Sequence, residues 1–375
     1  MVCPLTTDAC APASVALAWG ASAGDATAFR VPVELPAAGA ASRQRHSVAV
    51  CVSATYGDVD ARRLVEWIEM QQVLGVQLVV IYNHSVSPAA GRVLARYAAA
   101  PRVQLRQTHD DADSQRVQLR DDANTPRVQL RRTHDDVDSQ RVQLRDDADT
   151  PRVELRQTRA FTHDAADALL HMSPVINDCI YRFSAQFHYF AVIDLDELIV
   201  PRHVETVPAL IAALSARSGA PVALFAFRNA YFFLDIPVSD VRPPSRRGGA
   251  LSTFLVHRRR LSASPPAYSV KSVVNWAACV AMHNHYCWTY TGGVLASSGE
   301  WTERVDVPPR DALLHHYKRC HLDTYLRQPG HCRSAMAATL VDNAVNKYTS
   351  ALTDRLHRRF AQFNLTNSTA AAAAA

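Results

Sequence analysis

The chain has 375 residues, of which 48% are hydrophobic and 20% charged, so its composition supports a large buried core and excludes collagen-like and disordered classes. The net charge is only +5, and no basic stretch interleaved with aromatic residues occurs, which argues against nucleic-acid binding. The apolar segment 14–24 is shorter than the about 18 residues that a membrane span needs, and it lacks the preceding basic residues of a signal peptide.

The first elements of the chain predict a parallel sheet. Residues 1–46 are rich in Ala, Pro, Gly and Ser and are expected to form a mobile tail. Residues 47–54 are a nearly continuous apolar run, typical of a strand buried on both faces. A helix capped by Asp60 follows and ends at Gly75, and residues 76–82 form a second strand. This βαβ unit predicts that ligands bind beyond the carboxyl ends of the strands.

An internal repeat with a period of 25 residues occupies 101–150, and a third copy begins at Pro151. The copies are nearly identical, whereas the repeats of a solenoid diverge because each packs differently. We therefore interpret 101–150 as a tandem duplication inserted in a loop, with one Arg-Val-x-Leu-Arg strand needed by the core. Acid clusters such as 109–113 lack the glycine and spacing of an EF-hand calcium site.

The most informative motif lies at the end of a later buried strand. Residues 164–183 have a helical pattern, 187–194 and 222–227 are predicted strands, and the first of these strands ends in Asp194-Leu195-Asp196-Glu197. Alternation along an extended chain places Asp194 and Asp196 on one side, where both can bind Mg²⁺ or Mn²⁺. Such a cation can bridge a nucleotide diphosphate. Three acids at the end of a buried strand also carry a desolvation cost unless a metal ion or a cationic ligand compensates their charge.

Two other interpretations remain open on these residues alone. A metal-dependent phosphoester hydrolase also uses paired carboxylates, but a two-metal site needs more Asp and His ligands at strand ends. In a noncatalytic carbohydrate-binding or interaction protein, the repeat would be the functional region. The absence of GxxxxGK and GxGxxG motifs argues against P-loop phosphoryl transfer and classical dinucleotide oxidoreduction.

Eight cysteines without a CxxC pair favour disulfide bonds in the secretory pathway, and buried free thiols of a reduced protein are the alternative. Glycosylation sequons begin at Asn83, Asn364 and Asn367. The group Cys279, His283, His285 and Cys287 has zinc-ligand residue types, but its spacing is uncommon for structural zinc, so disulfide bonding is preferred for the cysteines. Several aromatic residues near this group can stack on an acceptor sugar: Trp276, Trp288, Tyr290 and Trp301.

The chain also resembles a known family. Segments 50–57, 66–76, 80–83, 177–182 and 189–201, with His316-Tyr317, are similar to glycosyltransferase family 92 over about residues 47–320. The resemblance implies an α/β protein of the GT-A glycosyltransferase fold, with a Rossmann-like, mostly parallel sheet flanked by helices and the repeat as an inserted loop. The implied catalytic domain spans 47–363, followed by a disordered tail over 364–375.

The same resemblance implies the chemistry. It predicts an inverting hexosyltransferase that uses a nucleotide-sugar donor, usually UDP-galactose, a glycan acceptor and Mn²⁺ or Mg²⁺. It also predicts a place in the Golgi lumen or membrane, although the usual N-terminal anchor is not visible, so membrane association rests on the resemblance alone.

The resemblance, together with the charge and position of the residues, gives candidates for three roles. The metal ligands are Asp194, Asp196 and His316, and residues near the nucleotide sugar are Tyr56, Asn83, Asp194, Lys271, His283 and Lys318. Glu197 either takes part in catalysis or orients its neighbours. The catalytic base is sought among four acids that the sequence does not separate, of which Glu300 and Asp311 are preferred: Glu300, Glu303, Asp306 and Asp311.

Overall fold

The computed structural model describes residues 14–17, 29–32, 46–99, 103–107, 117–121, 153–157, 165–236, 252–266, 268–291, 302–320, 334 and 337–365. In the predicted N-terminal tail, strands β1 (Ser14–Leu17) and β2 (Phe29–Pro32) pair with each other. The rest of that tail up to residue 45, and residues 366–375 of the predicted C-terminal tail, lie outside the described residues.

A seven-stranded sheet forms the centre of the described part of the chain. Its strands, in spatial order, are β16 (Thr302–Val307), β10 (Val222–Phe227), β13 (Lys271–Asn275), β8 (Tyr189–Val192), β3 (Val48–Gly57), β4 (Leu78–Val86) and β7 (Val153–Gln157). Within this sheet only β13 is antiparallel to its neighbours. The structure therefore confirms the predicted α/β class with a mostly parallel sheet.

Helices cover both faces of this sheet. One core contains α1 (Ala61–Val73), α2 (Pro88–Ala98), α4 (Val207–Ser218) and the C-terminal α6 (Thr349–Gln362). The opposite core contains α3 (Ala165–Phe183) and a hairpin formed by β14 (Cys279–Met282) and β15 (Cys287–Tyr290). Because side chains alternate along a strand, neighbours such as Val50 and Cys51 enter different cores.

Helix α1 has the ends that the sequence predicts. The Asp60 carboxylate accepts a hydrogen bond from the Arg63 backbone N–H at 2.8 Å, as an N-cap does. Gly75, with φ +80°, follows the helix, and a Cβ there would lie 2.8 Å from the Thr206 Cβ. Inside the helix, the Trp67 indole N–H donates to the Glu197 carbonyl at 2.8 Å, which ties α1 to the residues after β8.

A second, three-stranded sheet was not predicted. It has the order β11 (Asn229–Phe233), β17 (Ala312–Lys318) and β9 (Glu197–Pro201), and its register places His316 opposite Glu197. A short helix, α5 (Thr253–Val256), a 3-10 helix (Ala344–Tyr348) and the pair β12 (Arg259–Arg260) with β18 (Leu340–Val341) complete this side. By pairing β17 with β9, the second sheet brings His316 beside Glu197, although the two residues are far apart in the sequence.

The repeat contributes strands to two different sheets. Strands β5 (Val103–Gln107) and β6 (Val117–Asp121) pair only with each other among the described strands. Strand β7, from the third copy, joins the central sheet beside β4. This agrees with the expectation that the core needs one such strand. The insertion itself stays a prediction, because most of 101–150 lies outside the described residues.

Disulfide bonds join Cys51 in β3 to Cys179 in α3 and Cys279 to Cys287 across the hairpin, and Cys320 is also disulfide-bonded. Disulfide bonding was the preferred interpretation of these cysteines. A zinc site at Cys279 and Cys287 is excluded, because zinc binds the thiolate and both sulfurs are oxidised. None of the helices that the structure describes is long and apolar enough to span a bilayer.

Candidate active site

The acid motif lies between the two sheets. Strand β8 ends at Val192, Asp194 and Asp196 follow it, and Glu197 begins β9. The side chains of Asp194 and Asp196 are 37% and 36% exposed, whereas that of Glu197 is 2% exposed. The three acids therefore divide into two carboxylates that solvent and ligands can reach and one that they cannot.

The buried Glu197 carboxylate connects its neighbours. Its Oε2 accepts a hydrogen bond from the Asp194 backbone N–H at 2.9 Å and lies 3.4 Å from the Lys271 ammonium, while its Oε1 lies 3.4 Å from His316 Nδ1. Burial raises the pKa of Glu197, and the charge on Lys271 opposes this effect. These contacts favour the orienting role for Glu197 over direct contact with a substrate.

Lys271 is a buried cation at the centre of the site. It begins β13, and since that strand is antiparallel to its neighbours, its first residue lies at the carboxyl edge of the sheet. The ammonium donates to Asp194 Oδ2 at 2.8 Å and to Asn284 Oδ1 at 2.7 Å. Burial by itself lowers the pKa of Lys271, but the Asp194 and Glu197 carboxylates outweigh it and raise that pKa above its usual value. Lys271 therefore supplies, from within the protein, part of the positive charge that balances the acid motif.

His316 lies on the other side of the two exposed carboxylates. Its Nε2 is 3.3 Å from Asp196 Oδ2, and its Nδ1 is 3.3 Å from the Asn229 amide nitrogen. An uncharged His316 accepts from Asn229 at Nδ1, whereas a protonated one donates from Nδ1 toward Glu197. Burial alone lowers the pKa of His316, but the Asp196 carboxylate and then Glu197 outweigh it and raise the pKa.

Two further side chains extend this region. The Tyr231 ring lies 5.3 Å from the His316 ring, and the Lys318 ammonium lies 5.2 Å from the centre of the Tyr231 ring, within cation–π range. We call His316, Lys318, Tyr231 and Asn229 the cationic side of the site. Both basic residues come from β17, whose alternation places them on the same face of the strand.

The turn of the β14–β15 hairpin forms the opposite side. Asn284 in this turn binds Lys271, His285 Nδ1 contacts the Val270 carbonyl at 2.7 Å, and the Ser272 hydroxyl donates to the His285 carbonyl at 2.7 Å. Burial and the charge on Lys271 lower the pKa values of both His283 and His285, so these imidazoles are neutral near pH 7. We call residues 283–288 the hairpin side.

The predicted nucleotide residues Tyr56 and Asn83 come from the neighbouring strands β3 and β4. Thr55 pairs with Asn83 and Tyr56 with Ser85, toward the carboxyl ends of these two parallel strands. Asn83 Oδ1 accepts from the Val86 backbone N–H at 3.2 Å. Both residues thus belong to the sheet edge that carries Asp194, where open α/β sheets bind ligands.

The sequence profile of glycosyltransferase family 92 matches residues 46–360, which include both sheets and every residue of this cluster. The chain belongs to glycosyltransferase family 92. No curated protein matches it. Membership makes the chain a glycosyltransferase, with a sugar donor and a glycan acceptor as its partners, and favours this activity over the phosphoester-hydrolase and noncatalytic interpretations.

The predicted metal ligands of this family 92 protein do not form a closed site. Among the residues that the structure describes, no three His, Cys, Asp or Glu side chains are placed to hold a metal ion by themselves. Mg²⁺ and its analogues, however, are commonly held by one or two carboxylates together with substrate phosphates and water. The partly exposed Asp194 and Asp196, with the His316 imidazole, fit that kind of shared coordination in their donor chemistry.

Two of the three candidate bases that the structure describes, Asp311 and Asp306, pair with arginine side chains. Asp311 lies just before β17, at the end opposite His316, and its carboxylate pairs with Arg217 at 2.9 and 3.3 Å. We therefore do not assign Asp311 as the catalytic base. Asp306 pairs with Arg304 at 2.5 Å in the edge strand β16, where Glu303 is exposed. Glu300 lies outside the described residues and stays a prediction.

Sequence reasoning missed Asn284, Asn229 and Tyr231. Asn284 stands between two histidines that were noted only as zinc or nucleotide candidates. Asn229 comes two residues after the predicted strand 222–227, but it is uncharged and no acid accompanies it, so it gives no signal comparable to that of Asp194. Tyr231 has no signal of its own, because its neighbours His316 and Lys318 come from a strand far along the chain.

Proposed function

We propose that the chain is a metal-dependent, inverting glycosyltransferase of the GT-A fold that transfers galactose from UDP-galactose to a hydroxyl of a glycan. The observation that carries this proposal is the pair Asp194 and Asp196, two accessible carboxylates set between Lys271 and His316 at the carboxyl edge of the sheet of a family 92 protein. The choice of galactose and of UDP rests on the family resemblance.

The charges of the site support binding of the donor across the sheet edge. The nucleotide would lie beyond β3 and β4, near Tyr56 and Asn83, and the diphosphate would lie toward His316 and Lys318. The nearby carboxylates raise the pKa of His316, but a metal ligand must be the neutral imidazole, so the positive charge that this side itself offers to a diphosphate is that of Lys318. Asp194, Asp196 and His316 would hold Mn²⁺ or Mg²⁺, which supplies further positive charge to a departing diphosphate.

The reaction is a single displacement. The oxygen of an acceptor hydroxyl attacks the anomeric carbon on the face opposite the diphosphate, and the bond from that carbon to the diphosphate oxygen breaks with its electron pair. The hydroxyl proton passes to a carboxylate base, for which Glu300 remains the sequence-based candidate. Lys318 stabilises the negative charge that develops on the diphosphate, and the metal that Asp194, Asp196 and His316 would hold would add to this effect. Glu197 and Lys271 hold Asp194 in place.

The test is release of UDP from a panel of UDP-galactose, UDP-glucose and UDP-N-acetylglucosamine, in Mn²⁺ and in EDTA. We expect release to be fastest from UDP-galactose, to stop in EDTA and to return with Mn²⁺. NMR of the product should show the opposite anomeric configuration to the donor. Hydrolysis of 4-nitrophenyl phosphate without UDP release from any sugar nucleotide would support the phosphoester-hydrolase alternative instead.

We also propose that the protein works in the lumen of the secretory pathway, in the Golgi apparatus by family resemblance. The disulfides Cys51–Cys179 and Cys279–Cys287 support an oxidising compartment. Alkylation of the denatured, unreduced protein from its native source should label fewer than its eight cysteines. Labelling of all eight would contradict this placement.

A further inference from the structure

The hairpin turn presents aromatic rings to solvent beside the active site. Trp288 is 56% exposed and Tyr286 is 45% exposed. The His283 ring stacks on Trp288, with centroids 4.7 Å apart and planes at 25°, and lies 5.1 Å from the Tyr286 ring. We call His283, Tyr286 and Trp288 the hairpin platform.

The other aromatic residues considered from the sequence are placed differently. Trp276 and Tyr290 pack against the core beneath the hairpin, and Trp301 lies outside the described residues. Among those four aromatic residues, Trp288 is therefore the one that the structure shows turned to solvent.

The platform is held rigidly although it is exposed. The Cys279–Cys287 disulfide closes the hairpin, whose inner residues Met282 and Cys287 are buried in the core. The Asn177 side chain on α3 donates to the Met282 carbonyl at 2.8 Å and accepts from the Met282 backbone N–H at 2.9 Å. Exposed aromatic rings that are fixed in place are typical of binding surfaces, because little conformational entropy is lost when a ligand contacts them.

The platform is continuous with the carboxylates. Asn284, one residue after His283, accepts from the Lys271 ammonium at 2.7 Å, and the same ammonium binds Asp194 at 2.8 Å. Lys271 thus connects the hairpin turn to the Asp194 carboxylate, beside which the proposed reaction occurs.

The chemistry of the platform selects an uncharged ring over a phosphate. Its three rings offer aromatic faces, which carry partial negative charge and attract weakly positive C–H groups. One face of a pyranose ring is a surface of such C–H groups, with hydroxyls around its edge. A diphosphate, in contrast, is better matched by His316 and Lys318.

We propose that the hairpin platform binds the acceptor sugar, with the C–H face of one pyranose ring stacked on Trp288. This inference rests on the proposed glycosyl transfer, and it assigns the acceptor to the side of Asp194 opposite the diphosphate. It therefore gives His283 to the acceptor, whereas the family resemblance places His283 near the nucleotide sugar. A second copy of the chain is the competing occupant of an exposed aromatic surface.

The test compares Trp288→Ala with Trp288→Phe and with Val341→Ala, a control outside the hairpin at a side chain that is 54% exposed. Initial rates of UDP release are measured against N-acetyllactosamine, lactose and methyl β-galactoside, and against the nucleotide sugar. Losing one stacking contact should raise the acceptor KM about tenfold in Trp288→Ala. Trp288→Phe should raise it about twofold, and Val341→Ala should match wild type. The KM for the nucleotide sugar should stay the same in all three.

A second measurement does not depend on turnover. Saturation-transfer NMR with N-acetyllactosamine should show contacts to sugar C–H protons in wild type and in Trp288→Phe, and these should be lost in Trp288→Ala. An unchanged acceptor KM in Trp288→Ala, or an equal rise in the KM of both substrates, would overturn the inference. So would a wild-type dimer that dissociates on the same substitution. Absence of UDP release by wild type, with the NMR contacts intact, would contradict the proposed transfer and leave the platform supported.

Discussion

The two sides of the Asp194–Asp196 pair differ in charge and in how they are built. On the cationic side, His316 and Lys318 come from β17, and hydrogen bonds between strands place them against β9 and β11. On the hairpin side, a disulfide and the Asn177 bonds hold neutral rings. The difference suggests a division of work, in which one side binds a charged leaving group and the other an uncharged sugar.

Lys271 links the two sides, because it binds Asp194 and approaches Glu197 while it also binds Asn284 of the hairpin. We therefore expect the size of a variant's effect to depend on the region that is changed. A change at Lys271 should affect both sides, a change in the hairpin should affect one, and a change in the repeat should affect neither.

The largest effect is expected for Lys271→Met. It removes the ammonium group that faces the buried Glu197 carboxylate, which costs about 3–5 kcal/mol of unfolding free energy. UDP release should fall by about 100-fold or more, because the Asp194 carboxylate also loses the hydrogen bond from Lys271. Chemical denaturation and initial rates measure the two effects.

A matched double variant separates charge from packing in that result. Lys271→Met combined with Glu197→Gln removes both members of the buried pair, so it should recover at least about half of the lost stability. Activity should stay low. If the double variant is no more stable than Lys271→Met alone, the lysine stabilises the fold by packing and not by charge.

An intermediate effect is expected when the hairpin disulfide is removed by Cys279→Ser with Cys287→Ser. The bond closes a loop with a sequence separation of 8 residues. The chain-entropy model assigns such a loop about 2–3 kcal/mol of stability. Since the platform loses its rigidity, the acceptor KM should rise while the nucleotide-sugar KM changes little, as measured by initial rates.

The other disulfide provides the control. Cys51 and Cys179 are separated by 128 residues, so the pair Cys51→Ala and Cys179→Ala should cost more stability, about 4–5 kcal/mol, without a selective change in acceptor KM. A selective rise in acceptor KM in both variants would show that general destabilisation, and not the hairpin, controls acceptor binding.

A smaller, pH-dependent effect is expected beneath the cationic side. Asp342 is buried and accepts from Arg202 at 2.6 and 2.7 Å and from Arg260 at 2.6 Å. Burial alone would raise the pKa of Asp342, but these guanidinium groups and the nearby His315 outweigh it and hold the pKa below its ordinary value. The stabilisation is therefore present above the unfolded pKa of about 3.9 and is lost as the pH falls below it.

Melting curves of wild type and Asp342→Asn between neutral pH and about pH 2 test this linkage. The difference in melting temperature should be largest above about pH 5 and should shrink as the pH falls below about 4. A difference that stays constant over the whole range would mean that Asp342 stabilises the fold independently of its charge.

The smallest effect is expected when residues 101–150 are deleted, which joins Ala100 to Pro151 and keeps β7 in the central sheet. Loop-closure entropy changes by only about 1 kcal/mol or less, so stability and both KM values should stay near wild type. A deletion variant that aggregates, or melts many degrees lower, would show that the repeat is packed structure.

The sequence predicted the first half of the central sheet well, because its elements are local. Residues 47–54 and 76–82 are continuous apolar runs, and Asp60 and Gly75 mark the helix between them, so each element can be recognised without its partners. The exposed carboxylates Asp194 and Asp196 were found for the same reason, since they directly follow such a run.

The remainder of the site depends on pairing between distant segments, which no local pattern reveals. His316 meets Glu197 because β17 pairs with β9, and Lys271 reaches Asp194 because β13 is antiparallel to β8. The sequence predicts a metal ion or a cationic ligand as the counter-charge of the acids, whereas Lys271 provides a cation from inside the fold. Asp311 was chosen for its position before His316, but five residues of extended strand separate the two by about 17 Å.

The most direct test of the central claim, that Asp194 and Asp196 form the donor site, is UDP release by Asp196→Asn, with thermal melting measured on the same sample. Asp196 is 36% exposed, so the substitution should leave the melting temperature near that of wild type. UDP release from UDP-galactose in Mn²⁺ should fall by about 100-fold or more. A variant that releases UDP at the wild-type rate in Mn²⁺ would contradict the account.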